Sequence, residues 1–131
     1  MDQIETVTSE LIITSSLNDL RASAEQLGKA KFIELATDLI DGNVDQECPQ
    51  VAVQVKSLSN YLTTFRAARE FFVDPGSSLS ICCEATGLNV TAVRDKLRPE
   101  TQLEFNTLQA HKAVTEFMTY RRNYVNKRKS D

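Results

Sequence analysis

The sequence predicts an all-α protein, a helical bundle of about five to seven helices. Three observations predict it. Apolar residues recur at intervals of three and four along most of the 131 residues. Strand-like alternation is scarce. The residues that interrupt helices gather in a few short segments, around Gly28, Gly42, Pro49, Pro75-Gly76, Gly87 and Pro99. With 41% hydrophobic and 25% charged residues, a chain of this length can close around a core instead of remaining disordered.

The first segment places Ile4, Val7, Leu11 and Ile12 on one helical face, although the β-branched run Ile12-Ile13-Thr14 weakens the helix locally. Ser16-Leu17-Asn18-Asp19 reads as a serine cap with an acid three residues on, opening a stripe of Leu17, Leu20, Ala24 and Leu27. Beyond Gly28 the stripe resumes in a shifted phase as Phe32, Leu35, Ala36, Leu39 and Ile40. That pattern is either one helix bent near the glycine or two helices joined there. Gly42-Asn43 is a stop signal. The polar stretch 43–50, with Pro49, reads as a linker between an acidic N-terminal helical part, residues 1–45, suited to dimerisation or a protein contact, and a second domain, residues 50–131.

From Gln50 to Phe72, Val51, Val55, Leu58, Leu62, Phe65 and Phe72 make a long amphipathic helix. The local alternation Val51, Val53, Val55 also fits a short strand, but the longer stripe favours helix. Asp74-Pro75-Gly76-Ser77 ends it with strong turn chemistry. Pro99 is a natural first-turn residue for a closing helix that carries Leu103, Leu108, Phe117, Met118 and Tyr124 and extends to Asn126.

Composition narrows the chemistry. The three cysteines cannot all pair, two of them are neighbours, and the first residues show no basic-then-apolar signal; a reducing, cytoplasmic setting is expected. No apolar run approaches the ~20 residues of a membrane helix, so no membrane partner is expected. The four glycines are isolated, which leaves no phosphate-cradling loop. Cys48, Cys82, Cys83 and His111 lack metal-ligand spacing, and His111 stands in no catalytic motif. The acidic pairs Glu34/Asp38 and Asp38/Asp41 read as a solvated helix face. No enzyme, metal or cofactor is therefore expected. Charge is uneven: residues 1–50 carry ten acids and three bases, residues 51–131 twelve bases and eight acids. The second part thus suits an anionic partner, or the first part of the same protein.

One segment carries information about function. Residues 78–98 hold two short helical patterns flanking Thr86-Gly87-Leu88-Asn89. Ser78 can cap the first. Gly87 supplies a left-handed backbone for a tight corner, Leu88 an apolar plug, and Asn89 a cap for the second helix. Val90, Val93 and Leu97 would pack back on the first helix, with the small Cys83 at the close approach. From Phe65-Arg66-Ala67-Ala68-Arg69-Glu70-Phe71-Phe72 through Cys83, Gly87-Leu88-Asn89 and Val93-Arg94 to Leu97, the chain resembles small bacterial and bacteriophage helix-turn-helix DNA-binding proteins. It departs from them at Lys96, where an apolar residue is expected and Leu97 must serve.

The resemblance implies a small transcription regulator that binds double-stranded DNA and forms a homo-oligomer. The second helix would present Thr91, Arg94, Asp95 and Arg98 outward, with Asn89 at its start and Lys96 beside it. Arg121 and Arg122, in the base-rich stretch that continues through Lys127, Arg128 and Lys129 with Tyr120 and Tyr124 among them, would track the phosphate backbone. Two other readings share these residues: a helical adaptor or inhibitor that binds a protein such as RNA polymerase, and a small subunit of a phage DNA-packaging machine.

Overall fold

The computed structural model describes residues 3–130, without the side chains of Gln3, Lys129 and Ser130, and is all-α. Its elements are α1 (Gln3–Leu27), α2 (Ala30–Asp41), α3 (Pro49–Val73), α4 (Leu79–Thr86), α5 (Val90–Leu97), a short 3-10 helix (Arg98–Thr101) and α6 (Thr107–Ser130). No strand occurs among the described residues. Residues 51–55 belong to α3, so the strand alternative does not arise, and Val53 faces solvent.

α1 runs through Ser16 without a break, where a cap and a new helix were expected. Its inward residues follow a three-and-four rhythm: Thr6, Ser9, Ile13, Ser16, Leu20, Ser23 and Leu27 are buried or half-buried. Three of these are serines. Buried Ser23 donates its hydroxyl to the carbonyls of Asp19 and Leu20, which removes the cost of an unpaired polar group. Because the helix is unbroken, the phase set by Leu20 and Leu27 extends to its start and turns Ile4, Val7, Leu11 and Ile12 outward. The expected apolar face of the first segment is therefore exposed.

Gly28 separates two helices rather than bending one. α2 ends at Gly42, whose φ of 75° lies in the left-handed region, with its N–H on the Leu39 carbonyl and the Asn43 N–H on the Asp38 carbonyl. Asp45 accepts the Glu47 N–H in the linker, and Pro49 opens α3 at the position where a missing N–H costs nothing. At the far end of α3, Asp74 Oδ1 accepts the Gly76 N–H at 2.8 Å and Ser77 Oγ donates to the Phe71 carbonyl at 2.6 Å. Pro99 does not open the last helix. It sits in the 3-10 turn, and α6 begins at Thr107, where Asn106 Oδ1 accepts the Gln109 N–H. Leu108 and Met118, expected on the inner stripe of this helix, are exposed; Ala110, Val114 and Phe117 hold the buried positions.

The chain forms two compact units that interleave along the sequence and do not divide at residues 45–50. One comprises Met1–Glu25 and Thr63–Gln102. Its core holds Leu20, Phe65, Ala68, Phe72, Leu79, Cys82, Cys83 and Leu97. The other comprises Gln26–Leu62 and Leu103–Asp131, where α2 packs on α6. Its core holds Leu27, Phe32, Leu35, Leu39, Val55, Leu58, Leu62, Val114 and Phe117, and the Phe32 ring meets Tyr61 edge-on with centroids 5.5 Å apart. The acidic residues 1–45 thus contribute to both units instead of forming a separate part.

Candidate nucleic-acid interface

The candidate interface is the corner between α4 and α5. Ser78, expected to cap α4, makes no side-chain cap bond; the neighbouring Ser77 hydroxyl accepts the Leu79 N–H at 3.4 Å instead. Thr86 donates its hydroxyl to the Cys82 carbonyl at 2.8 Å, which satisfies one terminal acceptor of α4. Gly87 then adopts φ 75° and ψ 15°, and the Leu88 N–H reaches the Cys83 carbonyl at 2.9 Å. Asn89 leads in with extended backbone, its Oδ1 accepting the Ala92 N–H at 3.0 Å. Glycine turn and asparagine cap therefore act as the sequence predicts.

The packing beneath the corner differs in one respect. Leu88 does not plug it, since 49% of the residue is exposed. The interior is filled by Leu79, Cys82, Cys83 and Leu97, with Val90 and Val93 half-buried. Leu97 is buried and Lys96 exposed, so the second helix is anchored one residue later than in the helix-turn-helix pattern. Burial, with Cys82 alongside, raises the pKa of the Cys83 thiol and keeps it a packing residue.

The candidate contacts divide into three kinds. Thr91, Lys96 and Arg98 are exposed on α5 and at its end. Arg98 donates to Asp95 Oδ1 at 2.8 Å, and both side chains are solvated, so the pair opens at little cost when a better acceptor arrives. Asn89 is exposed but its side-chain oxygen is committed to the cap.

Arg94 is not the free outward base that the spacing suggests. It is half-buried and donates Nε to the Phe72 carbonyl at 3.0 Å and Nη2 to the Asp74 carbonyl at 3.2 Å. These are acceptors at the C-terminal end of α3, where a cation also meets the negative pole of the helix. Arg94 is thus the bracket that fixes α5 to α3. Sequence spacing could not reveal this, because the acceptors are backbone atoms twenty and more residues away.

Arg121 and Arg122 lie in the other compact unit. Arg121 donates Nη1 to the Glu47 carbonyl at 2.7 Å and stands 5.3 Å from the Tyr124 ring centroid, so it is largely engaged. Arg122 is exposed. Tyr120 stacks near-parallel on Tyr124 and donates its hydroxyl to Glu47, while Arg128 stands over Tyr124 from one turn on. Burial and the Glu47 carboxylate both raise the Tyr120 pKa. This aromatic–basic cluster was legible only as a mixed run in the sequence; its anchor, Glu47, was not. The side chain of Lys129 lies outside those described.

Cys82 and Cys83 are buried in one unit and Cys48 is half-buried in the other. Among the described residues no group of three or more His, Cys, Asp or Glu side chains is arranged to hold a metal, and no helix is long and apolar enough to cross a membrane. No protein-family model, curated protein or solved structure matches this chain.

Proposed function

We propose that the chain binds double-stranded DNA through the α4–α5 corner and serves in the cytoplasm as a small regulator of transcription, working as a homo-oligomer. The observation that carries this reading is the state of α5: a capped helix with one buried residue, Leu97, and an outer face of Thr91, Asp95 and Lys96, continued by Arg98 at its end, left to solvent. Thr91, Lys96 and Arg98 have the chemistry to meet phosphate oxygens and base edges, and Asn89 adds its amide N–H₂ group at the helix start. Arg94 takes a different part from that expected of it. It sets the angle at which α5 is offered, as a positioning residue.

The test is titration of the full chain with mixed-sequence duplex DNA over a salt series. Binding should weaken steeply with salt, and Lys96→Ala and Arg98→Ala should each lower affinity and flatten the slope of log K against log salt by about one for a phosphate contact. No binding even at low salt overturns the reading. Exposed Ile81 on α4 and Leu88 at the corner favour a second reading, an adaptor or inhibitor that meets a protein such as RNA polymerase with the same surface. A chain that ignores DNA but loses capture of a polymerase on Leu88→Asp would establish it.

A further inference from the structure

The first three turns of α1 turn Thr6, Ser9 and Ile13 inward and leave their most apolar face to solvent. The inward face belongs to the core. On the opposite side Val7 and Leu11, one turn apart, are 54% and 64% exposed, and Ile4 is 73% exposed beside them. At 100° per residue, exposed Glu10 falls beside this stripe, and exposed Glu5 lies on its other side, farther round toward the inward face. The first twenty residues contain four acids and no lysine or arginine. An exposed apolar stripe with acidic flanks is the surface of a helix that lies in a groove with basic margins.

The other compact unit presents such a groove, about 320 Å³ in volume, between α3 and α6. Met118, with half-buried Ala52 and Val125, supplies its apolar surface above buried Phe117, and exposed Lys56 and Arg122 its charge. α6 as a whole carries six lysines and arginines against one acid, Glu116. The stripe and the groove are therefore complementary in both polarity and sign. Two α1 stripes meeting each other would bring acids to acids, which costs free energy.

We infer that copies of the chain assemble through unlike surfaces, the start of α1 from one copy lying in the α3–α6 groove of another. The contact joins two different surfaces, so it either closes reciprocally in a two-fold pair or runs on from copy to copy into a ring or an open chain. This inference stands on residues outside the α4–α5 corner and does not rest on DNA binding.

Sedimentation of the full chain over a concentration series tests it. The wild type should self-associate as concentration rises and fall back to monomer as salt screens the charged margins. The double variants V7D/L11D and K56E/R122E change exposed positions, so both should keep the wild-type circular dichroism. Each should weaken assembly by about tenfold or more, the equivalent of at least one lost contact worth about 1.4 kcal/mol. An equimolar mixture of the two should give a two-chain species and nothing larger, because only one intact stripe and one intact groove remain to meet. A wild type that stays monomeric throughout overturns the inference. So does a K56E/R122E chain that assembles like the wild type, which would mean that α1 pairs elsewhere.

Discussion

Arg94 shows how one side chain can satisfy a sequence pattern for a reason that the pattern does not contain. Its place on α5 suits a DNA contact, yet its guanidinium closes the end of α3 through the Phe72 and Asp74 carbonyls. Replacing it by alanine removes two charge-assisted hydrogen bonds and leaves a half-buried helix end unsatisfied. Arg94→Ala should therefore cost about 1–2 kcal/mol of stability in a denaturant titration. If DNA affinity falls with it, the salt slope should stay at the wild-type value, because no phosphate contact has been lost; a slope flattened by one would return Arg94 to the interface. Gly87 is the second decisive residue. Its φ of 75° is costly for any residue with a Cβ, and nothing lies within 4 Å of where that Cβ would stand. Gly87→Ala should thus lose about 1–2 kcal/mol through backbone strain alone, and Gly87→Asn less, as read from the unfolding midpoint. Equal costs for the two would show that the strain lies elsewhere.

α1 is the element whose role differs most from its sequence reading. A serine at position 16 is a good cap only where the chain before it leaves the helix, and here the preceding residues remain helical. The helix then ties to distant elements by polar contacts rather than by its apolar start. Thr6 donates its hydroxyl to the Ala85 carbonyl at the end of α4, and Arg21 makes a two-pronged pair with Glu100 in the 3-10 turn at 2.8 and 3.2 Å. The hydrogen bond from Arg21 holds the Glu100 carboxyl below the usual carboxylate range; partial burial works the other way, and the charges of Arg21 and Lys96 add to the lowering. A carboxyl depressed in the folded state contributes stability above its unfolded pKa and loses it as pH falls through the folded one. The stability gap between wild type and Glu100→Gln should accordingly be largest at neutral pH and close in acid. A gap that does not change with pH would exclude the ion pair as its source.

At the scale of the whole molecule, the charge asymmetry along the sequence does not map onto two domains. Residues 1–45, the acidic part, supply helix to both compact units, and so does α3. Each unit is completed by segments far apart in the chain, Met1–Glu25 with Thr63–Gln102 and Gln26–Leu62 with Leu103–Asp131. Truncation at the apparent linker near residue 48 would therefore remove core residues from both units at once. The acidic start of α1 thus belongs to one unit and the basic α6 to the other.

Helix content, the stops at Gly42 and Gly87, the Asn89 cap and the inward stripe of α3 were legible in the sequence. Each depends on spacing or on one residue's local chemistry, and both are local quantities. The fate of Ile4, Val7 and Leu11, the start of α6 at Thr107, the bracket formed by Arg94 and the pairing of segments into units were decided by tertiary structure. In each case the deciding partner lies many residues away: a phase carried along an unbroken helix, a carbonyl at the end of another helix, or a core shared between remote segments. Periodicity tells which residues can share a face, and only packing tells which face the core takes.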